Sequence, residues 1–307
     1  MERKQIWIDT DLSVGMKRTH REGYCDVDDG YAVWQLMNAS DIKILGISAV
    51  FGNTSIDNGF MLSQYMADNF SNYHIPVFKG AVSGIVLGNV ETNDGVEAMA
   101  AALQKQKLTI MAIGPATNVG ILLLKHPHLA SQIEEVVLVA GRRKPTDYFK
   151  IGNKGNHARD LNFDLDNYAF QIMFEAKVNL VLCPFEISNK VWLNKMDLDK
   201  LEKGGNESTK WLAEKSRIWL QQWLDQGAEG FNPFDVLASH YIIDPSAIIS
   251  ETLNARLEIH LDDTIKENDS QTFKQYLLCD HEAGYPVKYC YDVVPEYHDQ
   301  LIKSLLN

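Results

Sequence analysis

Ile6-Trp7-Ile8 runs straight into Asp9-Thr10-Asp11, and Asp26, Asp28 and Asp29 follow a short way downstream. An apolar stretch that stops at Asp-x-Asp reads as a buried parallel strand. Its C-terminal end then delivers acids to the edge where open α/β sheets place their sites. Carboxylates gathered in a partly dry cleft repel one another strongly unless a cation sits among them. Oxygen donors of this kind suit Ca2+ or Mg2+ rather than zinc. The plainer alternative makes Asp9 and Asp11 turn and cap residues, and 26–29 a solvated loop before a helix.

The elements needed to position these acids follow in order. Gly30 to Met37 reads as a helix starting beside them, its first-turn amides favouring negative charge. Ile42 to Val50 is a second buried strand, ending at Gly52-Asn53. Residues 54–70 read as a helix, 76–78 as a short strand, and 80–95 as a long loop rich in Gly, Asn and Asp. A helix over 94–107 leads to a strand over 108–113, the turn Gly114-Pro115-Ala116-Thr117-Asn118 and a helix to Lys125. The segment 134–141 repeats the pattern of strand then glycine, and a polar, glycine-rich stretch follows over 142–162. A helix over 164–176 and a strand over 178–185 complete the alternation. Strands and helices at this spacing predict a Rossmann-like, open, mostly parallel sheet with helices on both faces. Residues 190–230 read as mainly helical, with Trp211, Trp219 and Trp223 as core or subunit contacts rather than a binding box. Asp235 opens an apolar helix. The segments 255–261, 273–279 and 287–293 alternate as strands, a small β-rich C-terminal edge, before a closing helix over 294–306. No repeat or linker divides residues 1–307, so one domain is expected.

Bulk properties narrow the class. A net charge of -12 over 307 residues argues against a nucleic-acid partner, which needs a basic surface. The four cysteines, Cys25, Cys183, Cys279 and Cys290, form no CxxC pair and read as free thiols of a reducing compartment. No apolar run reaches membrane-spanning length and no signal-peptide core is visible, so a cytoplasmic protein without a membrane partner is expected.

Taken together, these motifs resemble the nucleoside hydrolase family, the inosine–uridine-preferring nucleoside N-ribohydrolases and their relatives. Asp9-Thr10-Asp11 with Asp28-Asp29 is similar to that family's N-terminal aspartate cluster. Gly52-Asn53 matches the pair after its second strand, and Gly114 to Asn118 its Gly-Pro-Leu-Thr-Asn turn. Leu161-Asn162-Phe163 with Asp166, and Asp235 ahead of Asp244-Pro245, complete the series. The resemblance implies Ca2+ held by Asp11, Asp29, the main-chain carbonyl of Ile113 and Asp235. It implies Asp11 as general base toward a water that attacks an oxocarbenium-like ribosyl centre. It places Asp28 and Asn162 on the 2′- and 3′-hydroxyls with Asn53 nearby, and Asn156 and Asp160 at the 5′-hydroxyl. A homodimer or homotetramer is also implied, with a nucleoside-like small molecule as substrate.

Three departures stand out. Sixteen residues, 12–27, separate Asp11 from Asp28, where the family has a compact spacer. This insertion, with Lys17, Arg18, His20 and Arg21, reads as a surface excursion or as a lid or anion pocket over the ribose. It also leaves open whether Asp26 or Asp28 pairs with Asp29. Phe234 stands where many relatives carry a histidine that protonates the departing base; Phe234 or a Trp could stack on the base instead. Asp160 replaces a Glu and is one methylene shorter. Two other functions fit parts of the pattern. A non-catalytic nucleoside or ribose sensor would keep the calcium site. A haloacid-dehalogenase-like phosphatase would use Asp9 of Asp9-Thr10-Asp11-Leu12-Ser13 as nucleophile, but leaves Gly52-Asn53 and Asp235 unexplained.

Overall fold

The computed structural model describes residues 3–18, 22–155, 157–265 and 271–306. Strands β1 (Lys4–Thr10), β2 (Ile42–Ala49), β3 (Val77–Lys79), β4 (Leu108–Ala112) and β5 (Ile133–Leu138) come first. A two-residue pair, β6 (Phe149–Lys150) and β7 (His157–Ala158), interrupts the polar stretch. Then follow β8 (Leu180–Leu182), β9 (Ile248–Leu261), β10 (Phe273–Asp280) and β11 (Tyr285–Val293). Nine of these form one sheet in the order β10-β9-β11-β8-β5-β4-β1-β2-β3. From β11 to β3 every neighbouring pair is parallel. The β9 pairings with β10 and β11 are antiparallel and make the β-rich edge.

β1 lies between β4 and β2, with helices covering both of its faces, which is why its sequence is a continuous apolar run rather than an alternating one. Successive side chains still point to opposite faces. Ile6 and Ile8 join one buried cluster, with Tyr31, Val33 and Leu237. Trp7 joins the other, with Met99, Ile110 and Leu122.

Some boundaries shift for local reasons. The helix read over 164–176 breaks at Asp166, whose carboxylate caps Asn167–Ala176 and also accepts from Thr117 Oγ1 and the Ile85 amide. β9 begins at Ile248 rather than 255, because its first half pairs with β11 in a register that the hydrophobic alternation there does not announce. The segment after β5 rejoins the sheet: Arg142 bridges to Leu278 of β10, curling the antiparallel edge over the carboxyl end of the parallel strands.

Candidate active site

Asp9 and Asp11 sit at the end of β1 with no exposed surface. Asp9 Oδ1 accepts from Ser48 Oγ and from Asn118 Nδ2, the latter at 2.8 Å. Burial nevertheless pushes its carboxyl up to about 7, against the pull of those two donors. Asp11 Oδ2 accepts the Asn53 amide at 2.6 Å, so the loop after β2 clamps the carboxylate from one side. Only glycine fits beside it: a Cβ on Gly52 would lie 1.9 Å from Asp11 Oδ2.

Asp28 and Asp29 open the helix Asp28–Asn38, and both are buried. Thr10 Oγ1 donates to Asp29 Oδ1. Asp28 accepts from the Asp235 backbone, and the carboxyls of Asp29 and Asp235 meet. Asp235 itself stands just ahead of the helix Val236–Ile243. Burial first, then mutual repulsion among Asp11, Asp26, Asp28, Asp29 and Asp235, drives the carboxyls of Asp11, Asp28, Asp29 and Asp235 well above the usual range. Asp26 is only half-buried and is held by Ser13 Oγ at 2.9 Å. Asp26, Asp28 and Asp29 can each place one oxygen within 4.8 Å of the others. Asp28 joins Asp29 and Asp235, while Asp26 stands close to Asp28 and Asp29, so that either Asp26 or Asp28 is placed to accompany Asp29.

The group suits a hard cation. Asp9 Oδ2, Asp11 Oδ1 and Asp29 Oδ2 are buried acceptors without a hydrogen-bond partner among the described residues. Such atoms are costly to bury bare, and a divalent ion or a proton is what neutralises them. The Ile113 carbonyl is brought to the same end of the sheet, where Asn162 Nδ2 donates to it at 2.9 Å and to the Val139 carbonyl at 3.2 Å. Asp160 is half-buried, with Oδ2 on the Gly141 amide at 2.7 Å; burial raises its carboxyl to about 6. Phe234 packs edge-on to Phe149 at 5.0 Å and against Trp223 at 6.3 Å. Asn156, and His20 and Arg21 of the insertion, lie outside the described residues.

The rest of the insertion is a short antiparallel hairpin. Cys25 donates its amide to Met16, Arg18 to Gly23, and Lys17 pairs with Tyr24. Gly23, with a φ of 102°, accepts the Arg18 amide in the hairpin. Gln222 of the helix Glu207–Asp225 anchors it, accepting the Tyr24 amide at 2.8 Å. Trp219 and Trp223 of that helix are buried, as read from the sequence, while Trp211 packs on Tyr65 and Phe70. Neither His157 nor His240 is bonded to the acids. His157 Nδ1 is engaged by the Asp263 carbonyl and its ring stacks on Tyr148. His240 is paired with Gln35, packs on Tyr297, and is lowered to about 4 by burial.

Ser48, Thr10 and Asn118 carry no role in the sequence reading, although each holds a carboxylate here. Asn118 was visible as the last residue of a recognised turn; Ser48 was hidden in an apolar strand, where only its register opposite Asp9 reveals it.

This is an α/β protein with a cluster of buried acids at the carboxyl ends of its parallel strands. Residues 6–293 match the family described as inosine-uridine preferring nucleoside hydrolase, and the chain belongs to that family. It is therefore an enzyme of the ribonucleoside N-ribohydrolase kind, and the phosphatase reading falls away. The pyrimidine-specific ribonucleoside hydrolase RihA of Salmonella arizonae is 25% identical over 224 residues, 65% of this chain and 70% of the relative. The enzyme of the same description from Escherichia coli O1:K1 / APEC is similar to the same extent. Among solved structures, the plant nucleoside hydrolase PpNRh1 shares the fold with a TM-score of 0.77 at 17% identity, over 99% of this chain and 98% of its own. A purine-preferring ribonucleoside hydrolase from Gardnerella vaginalis does so with a TM-score of 0.76 at 16% identity, over 98% of each chain. No helix among the described residues is long and apolar enough to cross a membrane.

Proposed function

We propose that this chain is a calcium-dependent hydrolase of the N-glycosidic bond of a ribonucleoside, releasing base and ribose. The observation that carries the reading is the set of buried carboxylate oxygens without partners on Asp9, Asp11 and Asp29. Asp11, Asp29, Asp235 and the Ile113 carbonyl would hold the ion. When bound, Ca2+ acidifies a water and orients the ribose diol. Asp11 keeps one oxygen on the Asn53 amide and offers the other to the water's proton. Asp28 and Asn162 receive the 2′- and 3′-hydroxyls: the Asn162 amide nitrogen is spent on two carbonyls, which leaves its oxygen to accept. Asn53 borders the same hydroxyls. Asn156 and Asp160 meet the 5′-hydroxyl, with Asp160 reaching it through the oxygen not taken by Gly141. Phe234 stacks on the base. We further read residues 1–307 as one domain, cytoplasmic, assembled as a homodimer or homotetramer; four buried free cysteines are consistent with a reducing compartment.

Hydrolysis of p-nitrophenyl-β-D-ribofuranoside, whose leaving group departs without protonation, tests this reading. Turnover that EDTA abolishes and Ca2+ restores is expected. Turnover indifferent to chelation would overturn the calcium dependence, and none from protein shown to bind calcium would return the sensor reading.

A further inference from the structure

Within the inserted hairpin, Cys25 is 2% exposed and its thiol donates to the Asn53 carbonyl at 3.2 Å. The next residue, Asp26, accepts from the Asn53 side chain. Two consecutive hairpin residues thus grip Asn53, one by its main chain and one by its side chain. The Asn53 amide in turn donates to Asp11 Oδ2 at 2.6 Å. A continuous series of bonds therefore runs from the insertion to the acid at the end of β1. The hairpin is itself held by the helix Glu207–Asp225. Gln222 spends both ends of its side-chain amide on Tyr24: Oε1 accepts the Tyr24 amide at 2.8 Å, and Nε2 donates to the Tyr24 carbonyl at 3.4 Å. That exchange imitates a paired strand, at the residue next to Cys25. Gly15 approaches the same helix so closely that a Cβ on it would lie 2.6 Å from the Lys215 carbonyl. Its neighbour Val14 takes a φ of 38°, strained for a β-branched residue and kept only where the surroundings enforce it. The Gly15 amide then donates to the Asp26 carbonyl at 2.9 Å, which fixes Asp26 at the hairpin's base.

We propose that the insertion is a strut for the general base: pinned to the helix by Gln222, it holds Asn53 through Cys25 and Asp26, so that the Asn53 amide keeps Asp11 in place. Cys25 and Gln222 are then positioning residues of the reaction, and the inference rests on the N-ribohydrolase reading above. An excursion free of the site would make neither bond to Asn53. A carboxylate that offers one oxygen to a cation or a proton is aimed by the donor on its other oxygen. Here that donor belongs to a turn after a glycine, which has several backbone conformations open to it. A thiol is a weak donor, but it sits on a hairpin already fixed at both ends, so little further freedom is lost in making the bond. The strut selects one conformation of the turn, the one that points the Asn53 amide at Asp11.

Amide hydrogen exchange in the full-length protein, followed by NMR, separates this inference from the catalytic reading because it needs no turnover. Two amides are compared: Asn53, and Cys183, which donates to the Leu138 carbonyl at 2.7 Å inside the sheet. Cys25→Ala and Gln222→Ala should each quicken exchange at Asn53 at least about tenfold while leaving Cys183 within about twofold of wild type. Cys25→Ser keeps a donor on a shorter bond and should restore part of the protection. Calcium affinity, read by calorimetry, should rise in the order Cys25→Ala, Cys25→Ser, wild type. At saturating Ca2+, kcat on p-nitrophenyl-β-D-ribofuranoside should follow the same order, with a loss of about tenfold in Cys25→Ala. Asn53 exchange unchanged in both alanine variants, or quickened no more than that of Cys183, would overturn the proposal. The expected exchange pattern in a protein that turns over no riboside would support the strut and count against the catalytic reading alone.

Discussion

Asp11 is the residue on which the proposed chemistry turns, and its surroundings hold its carboxylate in one position. One oxygen is held by a backbone amide, the other is bare, and Gly52 leaves no room for a side chain. Asp11→Asn removes the proton acceptor and is expected to lower riboside turnover by about 10^2- to 10^4-fold, the usual range for a positioned base. Circular dichroism should stay unchanged, since the amide is isosteric. Gly52→Ala is a subtler probe. Its methyl would land on the buried Asp11 carboxylate and force it aside, so calcium affinity should fall at least about tenfold and fold stability should fall with it. Calcium titration followed by calorimetry reads this directly. Asp9 behaves otherwise: fully buried and saturated on one oxygen, it organises Ser48 and Asn118 rather than facing solvent.

At the scale of elements, the C-terminal hairpin β9–β10 acts as a brace for the segment that carries Asp160. Arg142 is 2% exposed, and its Nη1 meets Asp263 Oδ2 at 2.7 Å and the Asp147 carbonyl at 2.6 Å. Tyr276 donates its hydroxyl to the Leu261 carbonyl, and Asp263 also carries His157 on its carbonyl. Asp263→Ala strands a buried guanidinium and should destabilise the protein by about 3–5 kcal/mol. Replacing Arg142 and Asp263 together by Met and Leu should recover most of that loss, because no unpaired charge remains buried. Urea denaturation of the single and double variants measures both, and a single-variant loss no larger than the double's would refute the brace.

The whole molecule gathers acids that oppose one another, and its stability should depend on pH and calcium together. Asp9, Asp11, Asp28, Asp29 and Asp235 all have carboxyls raised by folding. A raised carboxyl favours the folded state at low pH, and that contribution is lost as pH rises from the unfolded value through the folded one, about 7 for Asp9. The metal-free protein should therefore lose stability between about pH 4 and pH 7. An ion at the proposed calcium site would reverse the balance, since it would bind the deprotonated acids. The rise in Tm on adding Ca2+ should be larger at pH 7.5 than at pH 5; thermal scans at both values check it, and an equal rise would count against an acid-bound ion.

Much of this was legible in the chain itself. Alternating apolar runs and glycine-bearing turns spelled out a parallel sheet, because a strand covered on both faces must be apolar throughout and must end in a turn. The same runs placed Asp9, Asp11, Asn53 and Ile113 at strand ends, since the end of an apolar run is a local property. Asp28, Asp29 and Asp235 were legible for a similar reason: acids at the start of apolar helices are a local signature. Tertiary structure alone decided the rest. Asp28 lies against Asp235 because two helix starts from distant parts of the chain converge. Ser48 serves Asp9 through strand register, and the inserted hairpin is held by Gln222 of a helix some two hundred residues further along the chain. Spacing along a chain reports which way a side chain points; which distant segment it meets depends on packing that no local pattern contains.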